Sequence, residues 1–285
     1  MALSSRVFVT GAEGFSGRYL CAHLKNLGYE VFEATTQNCD ICDTKSIKDA
    51  LKFDPDFVIH LAGISFAPSD AELIFKVNVA GSKNLLDALG EQRKKPKRVI
   101  LASSASVYGA QEAGSLSENL TPHPLSAYAK SKLQMENLAK DYDLDILITR
   151  PFNYTGAGQS VNFLIPKIVS HFKRNASVIK LGNLTPKREY NNVLDVVKIY
   201  EKLLNLKTGE RIFNIGSGKG HGIGEILDFM REISGRDIKV EQNPAFMRAD
   251  EPEEITADTA RLEANGLNLC KTHIKQTLKW MYENE

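Results

Sequence analysis

Short runs rich in Val, Ile and Phe alternate with amphipathic segments along most of this sequence, and that alternation limits the folds that the chain can adopt. The β-like runs lie at residues 6–10, 30–35, 57–62, 98–104, 145–150 and 211–216. Segments with helical periodicity separate them, at residues 17–27, 44–52, 71–91, 127–141 and 191–205. Strands that alternate with helices form parallel sheets covered on both faces. Right-handed crossovers then predict an α/β fold with a doubly wound parallel sheet.

A glycine-rich loop follows the first run, in the stretch "VTGAEGFSG". Gly11, Gly14 and Gly17 stand between the predicted strand and the first predicted helix, with Phe15 among them. Glycines let the backbone turn tightly and approach a pyrophosphate, whose charge is stabilised by the helix N-terminus. The strand-loop-helix context therefore predicts a dinucleotide site that includes these four residues.

The choice of cofactor depends on the end of the second strand. An acidic residue there would bind the adenosine ribose and repel a 2′-phosphate. The strand end falls near Thr35 and Thr36, which carry no carboxylate, so we expect NADPH, with NADH possible. Asp40 is either an acceptor for the adenine amino group, with Ile41 packing nearby, or a turn residue.

The pattern changes near residue 154, where a Gly- and polar-rich stretch interrupts it. We predict a Rossmann-type dinucleotide-binding domain made of residues 1–153 and 183–216. A smaller C-terminal α/β lobe, residues 154–182 and 217–285, is predicted to bind the substrate. Ligands of such sheets lie beyond the carboxyl ends of the strands. A second glycine cluster, residues 216–224, lacks the spacing of a phosphate loop and is interpreted as a flexible exit from the last strand.

Composition and charge argue against several partners. A formal net charge of +1 gives no general attraction for nucleic acid or an anionic membrane. The longest apolar stretch is too short to cross a bilayer, and the N-terminus lacks the pattern of a secretory signal. We therefore expect a cytoplasmic protein with no nucleic-acid or membrane partner. A C-x-x-C at Cys39 and Cys42 is interpreted as reduced thiols, because no second pair for zinc accompanies it.

Two polar stretches point to catalysis. The fourth run ends in "LASSASVYG", which puts Ser103 and Ser104 at a strand end, and "SAYAKSK" then carries Tyr128 and Lys132 four residues apart. On a helix capped by Ser126 that pair shares one face. Together with the glycine loop, the whole chain resembles the extended short-chain dehydrogenase/reductase family. The resemblance implies that Ser104, Tyr128 and Lys132 are the catalytic residues.

The roles that the resemblance implies are chemically specific. Tyr128 is the general acid toward the developing alkoxide, and Ser104 holds the substrate oxygen. A free tyrosine has a pKa of about 10, so Lys132 must favour its ionised form, besides binding the nicotinamide ribose. Further cofactor contacts are implied for residues at or just after the ends of the third and fifth runs, and a substrate contact is implied for one serine. These residues are Leu61, Ala62, Gly63 and Pro151 for the cofactor and Ser65 for the substrate.

The resemblance extends to the nucleotide-sugar branch of that family, through "RPFNYTGAGQS", "LGNLTPKREYNNVLDVV" and "PAFMRADEP". It implies that Asn153, Arg188 and Arg248 bind the diphosphate, a role suited to the donor fork of arginine. The implied reaction is NAD(P)H-dependent reduction of the 4-keto group of a nucleotide-linked 6-deoxyhexulose. The nearest reaction type converts GDP-4-keto-6-deoxy-D-mannose to GDP-D-rhamnose.

Alternatives remain at this point. The dehydratases of the family carry an acid-base pair after the catalytic Ser or Thr, where this chain has Ala105 and Ser106, so dehydration is rejected. A 4-epimerase or a 4-keto reductase for a UDP-, dTDP- or CDP-sugar stays open, as does a non-catalytic NADP-binding sensor. The resemblance also implies a homodimer through the helices near residues 71–91 and 127–141. His60 is interpreted as structural.

Overall fold

The computed structural model describes residues 4–65, 70–109, 111, 114–246, 252–267 and 269–284. The strands are β1 Arg6–Thr10, β2 Glu30–Ala34, β3 Phe57–His60, β4 Arg98–Ala102, β5 Gly114–Leu116, β6 Ile146–Pro151, β7 Tyr154–Thr155, β8 Val178–Leu181, β9 Lys187–Arg188, β10 Asn191–Asn192, β11 Ile212–Ile215, β12 Lys239–Gln242 and β13 Glu254–Ala257. The helices are α1 Phe15–Asn26, α2 Thr44–Ala50, α3 Ala71–Phe75, α4 Ser82–Gly90, α5 Ala127–Leu138, α6 Leu164–Lys173, α7 Val193–Leu204, α8 Ile223–Ser234, α9 Ala260–Ala264 and α10 Ile274–Asn284.

The six predicted runs form one six-stranded sheet with the order β11-β6-β4-β3-β1-β2. The pairs β1–β2, β1–β3, β3–β4 and β4–β6 are parallel. β3 is buried along its whole length, as expected for a strand with helices on both faces. Residues Phe8, Val58 and Leu101 of the sheet share a core with Leu85 and Leu89 of α4. The α/β, doubly wound fold class is confirmed.

The chain divides into two compact units. The first unit contains residues 1–110, 118–151 and 197–214, and the second contains residues 111–117, 152–196 and 215–285. These bounds differ from the predicted ones mainly at residues 183–196, which the sequence pattern assigned to the sheet. The reason is local pairing, since β9 pairs with β13 and β10 pairs with β7, all within the second unit.

The second unit is built from short sheets and helices. β8 pairs with β12, and β5, β13 and β9 form a three-stranded sheet. Its core joins apolar side chains of α6, α8 and α10, with Phe172, Met230 and Leu278 all fully buried. The unit therefore has a hydrophobic core of its own.

The helical segment predicted at residues 71–91 is interrupted. A π-helical turn, Lys76–Gly81, joins α3 to α4. Such turns are rare and are frequently found at functional sites. Among the residues that the structure describes, no helix is long and apolar enough to cross a membrane.

Candidate active site

The glycine loop has the geometry of a backbone cradle. Gly11 has a φ of +67°, and a Cβ there would lie 2.8 Å from Ala62 N. A Cβ on Gly17 would lie 2.7 Å from Ala12 Cα, so neither position accepts a side chain. Gly14 is the N-cap residue of α1, which begins at Phe15, and no side chain at Gly14 bonds to the first backbone N–H groups of the helix. This cradle fits a dinucleotide, because a pyrophosphate needs close backbone approach at a helix N-terminus.

The predicted adenosine contacts lie near the end of β2 and in the turn after it. Thr35 N donates to Asn38 Oδ1 at 2.8 Å. Asp40 is exposed, and its Oδ1 accepts from Cys42 N at 2.8 Å, which is the bond of a turn residue. Ile41 is buried, 7% exposed, and lies against Gly81. The adenine contact of Asp40 stays a prediction.

The loop after β3 brings three predicted cofactor residues to the carboxyl edge of the sheet. Leu61 N donates to Thr10 O, and Ala62 N donates to Thr10 Oγ1. A Cβ on Gly63 would lie 3.0 Å from Asn78 Oδ1 and 3.2 Å from Lys132 Nζ. Gly63 thus closes a narrow space beside the Lys132 ammonium. Ser65 follows this loop and is exposed.

Ser104 follows β4 and begins a tight turn. Its Oγ accepts from Ser106 N at 3.1 Å and from Ser106 Oγ at 2.9 Å. Ser103 faces the other way, is 3% exposed, and donates to Glu136 Oε1 at 2.5 Å. The structure therefore separates the two serines: Ser103 is anchored in the interior, and Ser104 stands at the strand end where the predicted site lies.

The stretch "SAYAKSK" forms the start of α5. Ser126 Oγ accepts from Ala129 N at 3.1 Å, which confirms the predicted N-cap. Tyr128 is half-buried and Lys130 is exposed. Lys132 is only 4% exposed, and its Nζ donates to Ala102 O at 2.7 Å. The helix thus directs Lys132 to the end of β4, beside Ser103 and Ser104, with Tyr128 one turn earlier on the same face.

Burial tunes Lys132. Loss of hydration lowers its pKa to about 8, and the negative charge of Glu136 acts in the opposite direction. Glu136 stands one turn after Lys132, and its carboxylate accepts from Arg150 Nε at 3.0 Å and from Arg150 Nη2 at 2.6 Å. Both side chains of this pair are 3% exposed. The face of α5 that carries Tyr128 and Lys132 therefore continues into a buried ion pair.

A chain of buried hydrogen bonds joins the sheet to α5. Ser82 Oγ donates to Asn78 O, so His60 Nε2 must donate to Ser82 Oγ, at 2.8 Å. In the neutral ring Nδ1 is then an acceptor, and Thr10 Oγ1 donates to it at 2.7 Å. Burial, followed by the charge of Lys132, lowers the pKa of His60 to about 3, so the ring is neutral. These bonds support the structural interpretation of His60.

Asn78, in the π-helical turn, continues this chain and was not singled out by the sequence. Its Oδ1 accepts from Ile64 N at 2.7 Å, and its Nδ2 donates to Ile64 O and to Ser131 Oγ, both at 3.0 Å. Ser131 Oγ donates in turn to Tyr128 O. Asn78 therefore fixes the loop after β3 and the first turns of α5. No local pattern indicates a π-helical turn, so nothing in "KVNVAGS" identifies this side chain.

Asn153 and Arg188, two of the residues predicted to bind the substrate diphosphate, lie in the second unit. Asn153 has an exposed side chain, and its carbonyl accepts from Asn191 N at 2.9 Å. Arg188, in β9, donates from Nη1 to Pro252 O at 3.0 Å and to Lys187 O at 2.7 Å. Arg248 lies outside the described residues. Pro151 ends β6 in the first unit and is partly buried.

The second glycine cluster is held by a buried carboxylate. Glu189 accepts from the backbone N–H groups of Ser217, Gly218 and Ala257, at 2.7, 3.0 and 2.5 Å. Asn191 Nδ2 adds a fourth bond at 2.8 Å. A Cβ on Gly216 would collide with this carboxylate. The backbone at the start of this cluster is thus held by a buried carboxylate. This arrangement differs from the flexible exit from the last strand that the sequence predicts.

Comparison with known proteins agrees with this geometry. The chain is 35% identical over 286 residues to GDP-6-deoxy-D-talose 4-dehydrogenase of Aggregatibacter actinomycetemcomitans, covering 98% of this chain and 97% of the relative. It is 31% identical over 292 residues to GDP-6-deoxy-D-mannose reductase of Pseudomonas aeruginosa, covering 97% and 96%. The structure of RMD from Pseudomonas aeruginosa complexed with NADPH superposes with a TM-score of 0.85 at 29% identity, covering 99% of this chain and 98% of that one.

The family assignment follows from the same comparison. Residues 7–216 match the profile of the NAD dependent epimerase/dehydratase family. The match spans the glycine loop, Ser104, Tyr128 and Lys132, and so confirms the resemblance to the extended short-chain dehydrogenases/reductases. The cofactor is accordingly a nicotinamide dinucleotide, NAD(H) or NADP(H). The chain belongs to the NAD dependent epimerase/dehydratase family.

Proposed function

We propose that this protein is a nucleotide-sugar 4-keto reductase that uses Ser104, Tyr128 and Lys132 as its catalytic residues. The observation that carries the proposal is the buried Lys132 ammonium, held by Ala102 O and flanked by Gly63, one helical turn after Tyr128. A buried lysine with a lowered pKa at the carboxyl edge of a doubly wound sheet is typical of a functional group.

Each of the three proposed catalytic residues has a separate role in the reduction of the 4-keto group. The reduced nicotinamide supplies the hydride when it is bound. Tyr128 donates the proton to the developing alkoxide, and Ser104 Oγ donates a hydrogen bond to the same oxygen. Lys132, charged below a pH of about 8, stabilises the phenolate that remains and binds the nicotinamide ribose. Asn78 and Ser131 hold the helix turn that carries Tyr128.

The proposed substrate is GDP-4-keto-6-deoxy-D-mannose. Talose and mannose differ only in the configuration at C4, so oxidation of either GDP-6-deoxy sugar at C4 produces the same ketone. Both curated relatives, named for GDP-6-deoxy-D-talose and GDP-6-deoxy-D-mannose, therefore share one keto sugar. Asn153, Arg188 and Arg248 are proposed to bind its diphosphate. The product is GDP-D-rhamnose, or GDP-6-deoxy-D-talose if hydride arrives from the opposite face.

The test is reductase activity with defined keto sugars. Purified protein is incubated with NADH or NADPH and GDP-4-keto-6-deoxy-D-mannose, and cofactor oxidation is followed by absorbance. NMR of the product gives the C4 configuration. Tyr128→Phe is expected to lower kcat by about 10²–10⁴-fold while cofactor affinity is retained. Lys130→Ala, an exposed change on the same helix, is the control and leaves the rate unchanged.

Two outcomes would contradict the proposal. Full activity in Tyr128→Phe would remove the catalytic assignment and favour a cofactor-binding sensor. Turnover of a UDP-, dTDP- or CDP-linked keto sugar without turnover of the GDP sugar would contradict the proposed substrate.

A 4-epimerase is the second candidate, because several structural neighbours of the fold are UDP-sugar 4-epimerases. Tightly retained NAD⁺ in the purified protein, with epimerisation and no net cofactor oxidation, would favour it.

We further propose that the enzyme is a cytoplasmic homodimer. Residues 71–91 and 127–141 contribute the interface, and α3 packs beside α5 with Leu73 39% exposed on its surface. All four cysteines are free thiols, as is usual in a reducing compartment. Sedimentation velocity is expected to give a dimer, and Leu73→Arg to give a monomer. A monomeric wild type would overturn this assignment.

A further inference from the structure

The carboxylate of Glu13 lies at the end of β2, although Glu13 belongs to the glycine loop. Its Oε1 accepts a hydrogen bond from the backbone N–H of Thr36 at 3.1 Å. Ala12 N donates to Ala34 O at 3.2 Å, so the loop and the strand end are joined by two bonds. Glu13 and Thr36 are both exposed, and a ligand at this edge can reach the carboxylate.

This location matters because of where the cofactor must lie. In dinucleotide-binding sheets of this type, the adenosine ribose is bound at the end of the second strand, and a carboxylate there bonds its hydroxyls and repels a 2′-phosphate. The residues at the strand end, Ala34 to Thr36, include no acid. Glu13 brings the missing carboxylate to the same place through space.

The backbone donors of Thr35 and Thr36 at this strand end are already used by the protein. Thr36 N is occupied by Glu13, and Thr35 N donates to Asn38 Oδ1 at 2.8 Å. Asn38 is held in turn by its own bond to Glu33 O at 3.0 Å. A 2′-phosphate needs donors and positive charge, whereas two ribose hydroxyls need acceptors. The strand end offers the acceptors.

We propose that Glu13 is a specificity-determining residue that makes the enzyme favour NAD(H) over NADP(H). This inference rests on the proposed function, because it requires a nicotinamide dinucleotide in the glycine loop. The 2′-phosphate carries close to two negative charges at neutral pH, and the Glu13 carboxylate opposes them at the end of β2. The ribose of NAD(H) instead donates a hydroxyl hydrogen bond to it.

The test compares the affinities of NADH and NADPH by fluorescence titration without any sugar substrate. The wild type is expected to bind NADH more tightly than NADPH. Glu13→Gln keeps an acceptor for Thr36 N, removes the charge and replaces the second carboxylate oxygen by an amide donor, so the ratio of the two dissociation constants should move about tenfold toward NADPH. Glu13→Arg should move it further, because a guanidinium pairs with phosphate. The change should shrink at high salt, since the site is exposed.

Glu30→Gln is the matched control. Glu30 opens β2, at the opposite end of the strand from Thr36, and its removal changes the net charge equally. The ratio should stay at the wild-type value in that variant. An unchanged ratio in Glu13→Gln, or a wild type that prefers NADPH, overturns the inference but leaves the proposed reductase standing. Failure of the wild type to bind either cofactor overturns both.

Discussion

Glu136 in the first unit and Glu189 in the second are both almost fully buried, yet they are stabilised in different ways. Glu136 pairs with the Arg150 guanidinium and lies one turn from Lys132. Glu189 is surrounded by neutral donors: three backbone N–H groups, one side-chain amide and the Ser217 hydroxyl. The first arrangement brings charge next to the predicted catalytic residues. The second uses a carboxylate to hold loops of the second unit together.

The largest expected effect comes from removing the charge of Glu136. Glu136→Gln leaves the Arg150 cation buried without a counter-charge, and we expect a loss of about 3–5 kcal/mol in the free energy of unfolding. Urea denaturation measures it. The double variant Glu136→Gln/Arg150→Gln should recover much of that loss, since no buried charge remains unpaired. A loss within about 1 kcal/mol for the single variant would mean that the pair behaves as a surface ion pair.

The same change at Glu189 should lower the free energy of unfolding by a smaller amount. Glu189→Gln keeps one acceptor oxygen but turns an amide group toward backbone N–H donors, so we expect a loss of about 1–3 kcal/mol. No buried cation is left behind, which is why the effect is smaller than at Glu136. Glu241→Gln, at a half-buried position in β12 where the carboxylate pairs with Lys239 at the surface, is the control and should change the free energy of unfolding by less than about 1 kcal/mol. A larger loss in the free energy of unfolding for Glu189→Gln than for Glu136→Gln would contradict the proposed difference between the two carboxylates.

The two carboxylates should also differ in their effect on catalysis. Lys132 must be charged to assist Tyr128, so the rate is expected to fall as pH rises above about 8, the pKa of Lys132. Glu136→Gln removes a negative charge that keeps this pKa up, and the alkaline limb of kcat/KM should move down by about one pH unit. Glu189→Gln should leave that limb in place. If Glu136→Gln lowers kcat/KM equally at all pH values and the alkaline limb does not move, Glu136 has only a structural role.

The smallest effect is a pH dependence of stability at Glu189. Burial raises its pKa above the ordinary value of 4.5. When folding raises the pKa of a carboxyl group, the protonated group stabilises the folded state at pH values below the pKa of the unfolded state. That stabilisation is lost as the pH rises through the pKa of the folded state. Each unit of difference corresponds to about 1.4 kcal/mol. The stability of the wild type relative to Glu189→Gln should therefore decline from pH 4.5 upward, and an increase with pH would contradict the raised pKa.

The sequence predicted the sheet well and the polar network poorly, for physical reasons. All six runs of the sheet became strands within about two residues, because a parallel sheet buried on both faces needs continuous apolar segments. Ser126 was predicted as a cap because capping depends on local chemistry. Asn78 and Glu13 were missed because their partners, Ile64 and Thr36, are distant in sequence. Contacts of that kind are created by the fold and leave no local pattern.

The π-helical turn between α3 and α4 has a consequence for how related sequences can vary in length. It accommodates one residue more than an α-helical turn, and each residue rotates the helix by about 100°. A single-residue deletion within Lys76–Gly81 would give a more regular helix and turn Asn78 away from Ile64 and Ser131. Homologues that keep this link must keep the extra residue. An alignment gap here, in the middle of a helix, would mark a lineage whose Tyr128 helix is held by other means.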